Sequence, residues 1–256
     1  MHKNLLTESI INLFKELQDS EGDFLFFNFN LEKQKPSISN NTNDPIKVTE
    51  STTDLKLLNK FVASENDIWK NSTNLEEFYS IIHNCKKCKF GETRNNFVFG
   101  TGNPRAEIML IGEAPGADED IQGEPFVGRA GQLLTKILDA INLKRDDVYI
   151  ANVVKCRPPG NKTPTEDEYK DCLPYLIKQI ELIKPKFILT LGAVPLKALA
   201  GGNYQITKVR GKILEFNGIK LIPTFHPAYL LRNPSAKKEV WEDVQLLQKL
   251  YLETKQ

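Results

Sequence analysis

The chain has 256 residues and a mass of 29.1 kDa, with 40% hydrophobic and 26% charged residues, which leaves room for one sizeable α/β core and an appendage. These proportions exclude wholesale disorder and collagen-like repetition, and no run approaches the roughly 18 uncharged apolar residues of a membrane span. The net charge is +1, but residues 1–82 carry eight basic and thirteen acidic side chains and the remainder twenty-six and twenty, so the second part suits a polyanion without requiring one.

The start, Met1-His2-Lys3-Asn4, lacks the apolar core and cleavage site of a secretory signal, so a soluble, intracellular protein is expected, cytoplasmic and, in a bacterium, associated with the nucleoid. Leu5, Leu6, Ile10, Leu13, Phe14 and Leu17 follow at helical spacing. Phe24-Leu25-Phe26-Phe27-Asn28-Phe29 reads as a short strand or as a peptide that docks on a partner. Gln34 to Thr53, rich in Ser, Asn, Thr and Pro, reads as a linker. Residues 1–74 are therefore expected to form an N-terminal extension and residues 75–256 the main domain.

From Glu107 a βα alternation begins. Ile108-Met109-Leu110-Ile111 is short and uninterrupted, as a strand buried on both faces is. Leu133, Leu134, Ile137, Leu138 and Ile141 mark one face of a helix, and Val148 to Val154 is a second strand. Thr165-x-x-Glu168 is a capping box that opens a helix predicted to run towards Lys184. Phe187 to Leu191 is a third strand, Asn217-Gly218 a hairpin turn between Lys212–Phe216 and Lys220–Ile222, and a last helix starts near Pro234-Ser235. This order predicts a three-layer α/β/α sandwich on a mainly parallel, four-stranded sheet.

In such sheets ligands bind beyond the carboxyl ends of the strands. Three loops there carry unusual residues: Gly112-Glu113-Ala114-Pro115-Gly116, Asn152 to Cys156, and His226-Pro227-Ala228. Glu113 places a carboxylate in a glycine-flanked turn, Asn152 brings an amide to an apolar strand end, and His226 is one of three histidines. Phe126 lies in a glycine-rich stretch and reads as a stacking platform or as core. Taken singly, each has a bland reading as turn or core residue. The four cysteines form a Cys85-x2-Cys88 pair and a Cys156 to Cys172 pair. In a reducing compartment this set suits tetrahedral zinc or an iron-sulfur cluster, the wide second spacing favours the cluster, and four unconnected thiols are the alternative.

Together, Gly112-Glu113-Ala114-Pro115-Gly116, Gly123-x-Pro-Phe-Val-Gly-x-Ala-Gly131, Asn152-Val-Val-Lys-Cys-Arg-Pro-Pro159 and His226-Pro-Ala-Tyr-Leu-Leu-Arg-Asn-Pro234 resemble the family 4 uracil-DNA glycosylases. The resemblance runs from about Ile82 to Gln256, in order and without a large insertion. It implies a monofunctional DNA-repair enzyme with a [4Fe-4S] cluster on Cys85, Cys88, Cys156 and Cys172. It further implies that Phe126 stacks on the extruded uracil, that Asn152 donates to O4 and accepts from N3–H, and that His226 donates to O2. Glu113 then positions the base or the water, and Ala114 and Gly116 complete the substrate loop. Ala114 stands where other uracil glycosylase families place an aspartate base. Gly128, Gly131, Lys155, Arg157 and Arg232 are expected along the DNA backbone, with Leu230 or Leu231 filling the vacated stack. A monomer is expected, with the N-terminal segment recruiting a replication or repair protein. A redox-sensing DNA-binding module and a metal-free phosphate-binding domain are the rivals, and neither would release uracil.

Overall fold

The structure, a computed structural model, describes residues 68–255. The amphipathic run, the Phe24 to Phe29 segment and the Gln34 to Thr53 stretch lie outside the described residues. The main elements are α1 (Leu75–Ile82), β1 (Thr101–Gly102), β2 (Ile108–Gly112), α2 (Ala117–Gln122), α3 (Arg129–Ala140), β3 (Tyr149–Asn152), α4 (Leu173–Ile183), β4 (Phe187–Leu191), α5 (Ala193–Ala200), β5 (Leu214–Phe216), β6 (Ile219–Thr224), α6 (Pro227–Arg232) and α7 (Lys237–Glu253).

The sheet has six strands in the order β1-β3-β2-β4-β6-β5. Its four inner strands are mutually parallel, as the apolar runs predict, and antiparallel β1 and β5 are added at the edges. The hairpin reading already supplies β5 as the arm before Asn217-Gly218, although the expected count of four leaves it out; β1, two residues long, is too short to display a period and is missed. The β5–β6 turn has Asn217 at φ 49° and Gly218 at φ 80°, the paired left-handed residues of a tight hairpin.

Every residue of β2 is buried. Met109 and Ile111 join a core shared with Phe78 of α1, Leu176 of α4 and Leu196 of α5. Ile108 and Leu110 point the opposite way and are equally buried, on a face where α7 meets β4 and β6 and α3 meets α6. Two helical layers thus enclose the sheet. The core also reaches upstream of Leu75, because Trp69 packs edge-on against Tyr175, with ring centroids 5.1 Å apart.

The capping box forms, with Thr165 N–H donating to Glu168 Oε2 at 3.0 Å, but the helix it opens lasts one turn, Glu166–Tyr169, and restarts at Leu173. Pro174 explains the interruption: it has no N–H to donate to the carbonyl four residues earlier. Cys172 sits at that break.

Candidate functional site

β2 and β3 end side by side, with Gly112 opposite Asn152. The ladder continues past both strands, Val153 N–H donating to Gly112 O and Val154 N–H to Glu113 O. A Cβ on Gly112 would lie 2.4 Å from Asn152 Oδ1 and 2.5 Å from Phe126 Cζ. Only glycine therefore lets the amide and the ring meet above the strand end. Asn152 is 2% exposed, and its Oδ1 has no hydrogen-bond partner. Leaving a buried acceptor unpaired costs about 1–3 kcal/mol, so such an atom calls for an explanation, and a ligand that donates to it is one.

Phe126 has φ 56°, in the left-handed region, and its ring stacks on the His226 imidazole at 5.5 Å between centroids and 29° between planes. Glu119, on α2, ties this loop to the one after β2: its carboxylate accepts from Gly116 N–H at 3.1 Å, Val127 N–H at 2.9 Å and Gly128 N–H at 3.0 Å. The motifs do not single out Glu119. Its signal is Gly116-x-x-Glu119, a carboxylate at the third helical position reaching back to the N-cap amide.

His226 caps α6, and its Nδ1 accepts from Ala228 N–H at 3.1 Å. With Nδ1 an acceptor, the ring proton resides on Nε2. Burial, aided by the Arg232 charge, holds the imidazole down to about 4, so it is a neutral donor at physiological pH. Glu113 is partly buried beside this floor; burial raises its carboxyl above the ordinary carboxylate value, against a hydrogen bond with the Thr163 side chain. Asn152 ends β3, Glu113, Ala114 and Gly116 follow β2, and His226 follows β6, so these lie at the carboxyl edge of the sheet, where Phe126 from the α2–α3 loop stacks on His226.

Three backbone or stacking assignments change. Lys155 is fully buried, and its ammonium donates to Asn152 O at 2.9 Å and Gln179 Oε1 at 2.5 Å, so it cannot meet DNA phosphates. Gly131 is buried beneath Phe126, where an added Cβ would lie 1.8 Å from the Phe126 carbonyl oxygen; its role is close packing. Leu230 is 1% exposed and belongs to the core, which leaves Leu231 of the two leucines at the surface. Gly128 is partly exposed with its N–H engaged by Glu119, Arg157 is a partly exposed cation of the loop after β3, and Arg232 is an exposed cation at the C-terminal end of α6.

The four cysteines are unbridged and surrounded by donors. Lys155 N–H points at Cys172 Sγ (3.3 Å), Arg94 Nη1 at Cys156 Sγ (3.0 Å), and Lys87 N–H (3.5 Å) and the Tyr175 hydroxyl (3.4 Å) at Cys85 Sγ. The Cys156 thiol donates to Cys88, whose sulfur also receives the Gly91 and Phe90 amides and is lowered to about 6; Cys156 itself is raised. Burial pushes Cys172 up to about 12. Donors converging on sulfur, with a buried lysine alongside, suit an anionic thiolate set. Among the described residues no three His, Cys, Asp or Glu side chains gather as ligands of a single ion.

The family model described as "Uracil DNA glycosylase superfamily" matches residues 99–245. A "Type-4 uracil-DNA glycosylase" of Sulfurisphaera tokodaii is 47% identical over 191 residues, covering 71% of this chain and 87% of that protein. Proteins of the same description from Saccharolobus solfataricus and Thermotoga maritima are 49% and 48% identical, covering 66% and 64% of this chain and 83% and 88% of theirs.

Proposed function

The chain belongs to the type-4 branch of the uracil-DNA glycosylase superfamily, and from that premise we propose how its own residues carry the reaction. The enzyme hydrolyses the N-glycosidic bond of deoxyuridine in DNA, releasing uracil and leaving an abasic site for base excision repair. The observation that carries the residue assignment is the buried, unpaired Asn152 Oδ1 beside the Phe126 edge. An extruded uracil supplies what that atom lacks: N3–H donates to Oδ1 while the amide donates to O4. Cytosine presents the reversed pattern, and mismatched buried polar groups discriminate by about 10⁴ or more. Phe126 stacks on the base, an interaction worth roughly 1–3 kcal/mol, which helps offset the cost of extrusion.

As the glycosidic bond breaks, positive charge grows on the sugar and negative charge on uracil O2. The Nε2–H of neutral His226 donates to that oxygen, and its low basicity keeps the proton on the imidazole rather than passing it to the base. Glu113, ionised, orients the attacking water; Ala114 offers no side-chain alternative. Arg157 and Arg232 contact the DNA backbone. Cys85, Cys88, Cys156 and Cys172 would hold a [4Fe-4S] cluster, which supplies, when bound, a four-point cross-link and a one-electron redox centre. We read the enzyme as a cytoplasmic monomer and, since Trp69 belongs to the core of the main domain, only the residues before Ile68 as an extension that recruits a replication or repair protein.

The test is release of free uracil from a uracil-containing oligonucleotide by Asn152→Asp. Replacing a donor by a buried acceptor should lower single-turnover cleavage of uracil by about 100-fold and shift relative preference towards cytosine. Unchanged rate and selectivity would remove Asn152 from base recognition.

A further inference from the structure

Phe126 is the only aromatic among the described residues with positive φ; the other non-glycine cases are three asparagines and Lys184. A bulky side chain disfavours this conformation, and it persists only where its surroundings impose it. The surroundings are specific. Arg145 Nη2 donates to the Pro125 carbonyl at 2.8 Å and Nη1 to the Phe126 carbonyl at 3.1 Å. The next two amides, Val127 N–H and Gly128 N–H, donate to Glu119 Oε1. The peptide after Phe126 is thus held at its oxygen and at its hydrogen, and the peptide before it at its oxygen, so both torsions at the Phe126 Cα are set from outside. Gly131 closes the remaining side against the same carbonyl.

Arg145 reaches this loop from the single 3-10 turn Arg145–Asp147 that leads into β3, the strand ending in Asn152. It is partly buried, and the negative charges of Glu124, Asp146 and Glu119 favour its cationic form against that burial. A planar guanidinium presents two donors in a fixed fork and so spans two successive carbonyls; an ammonium is a point donor and does not.

We propose that Arg145 is a positioning residue for base recognition: its fork grips the carbonyls on either side of Phe126 and holds the ring in the orientation on which the base stacks. The proposal rests on the reading of Phe126 as the stacking platform. It is tested in the full chain by single-turnover cleavage of a uracil-containing oligonucleotide with Phe126→Ala, Arg145→Lys, Arg145→Gln and the Phe126→Ala/Arg145→Lys double variant. Misplacing the ring should slow Arg145→Lys by about 10- to 100-fold, and Arg145→Gln by a similar factor, because neither has the fork. The double variant should be within about twofold of Phe126→Ala alone, because Arg145 acts through that ring. Near wild-type cleavage by Arg145→Lys, with Arg145→Gln slow, would show that charge and not the fork matters, and would overturn the proposal. So would losses that multiply in the double variant. Unimpaired Phe126→Ala would refute the platform reading and the proposal with it, whereas a slow Phe126→Ala beside a normal Arg145→Lys would refute the proposal alone.

Discussion

The base pocket and the cysteine site share the segment from Asn152 to Cys156 and are furnished in opposite ways. At the pocket end a buried acceptor stands without a partner and a neutral imidazole offers its Nε2 proton. At the cysteine end each sulfur has at least one donor directed at it, from backbone amides, a tyrosine hydroxyl, another thiol or a guanidinium. The contrast follows from what each place must meet. Uncharged groups held in fixed positions would select a neutral base by its pattern of donors and acceptors, whereas sulfurs that become anionic on holding a cluster would need compensation from the protein itself. Lys155 joins the two: its amide faces Cys172, and its ammonium holds the carbonyl of Asn152.

If the two regions divide the work this way, damage to the pocket should leave the cysteine site intact. His226→Ala carries the largest expected effect: single-turnover cleavage falls by about 10² to 10³, with DNA affinity and iron content unchanged. Near wild-type cleavage would remove His226 from the mechanism, and lost iron would break the separation.

A smaller effect sharpens the electrostatic side of the comparison. His226, near 4, stays neutral above about pH 5 and contributes no change of rate between about pH 5 and 8. Glu113, raised above the ordinary carboxylate value, acts when ionised, so cleavage should rise with pH through its pKa and then level off. In Glu113→Gln that acid limb should vanish and the plateau fall by about 10-fold. A pH–rate profile in which the limb survives would assign it to another group.

The smallest effect on chemistry is expected at the cysteine end. Trp69 packs on Tyr175, whose hydroxyl donates to Cys85. A chain that starts at Leu75 lacks this indole, and one that starts at residue 66 keeps it. The shorter chain should lose about 3 kcal/mol of stability and release iron sooner, yet cleave within about twofold of the longer one when iron-replete. Thermal unfolding, iron and sulfide content and cleavage, measured together, decide the matter. A stable, iron-replete short chain that no longer cleaves would tie this end to the reaction.

The sequence by itself determined the inner sheet, the loops at its carboxyl edge and the residues that meet there. Uninterrupted apolar runs, the Asn217-Gly218 turn and motifs adjoining strand ends all report local requirements, and each is met within a few residues. What stayed illegible depends on partners far along the chain. Lys155 is expected along the DNA backbone, and only folding brings Gln179 and the Asn152 carbonyl around its ammonium. Gly131 reads as a glycine for phosphates until Phe126 is placed over it. The helix after Thr165 reads as continuous because a capping box marks a beginning and says little of the end. Arg145 carries no motif, and the capping pattern Gly116-x-x-Glu119 marks only a helix start; their importance comes from the backbone groups they hold across the turn at Phe126. Periodicity and turn chemistry are written in neighbouring residues, whereas the satisfaction of buried polar groups is settled only when distant segments meet, and tertiary structure therefore decided the inner wall of this site.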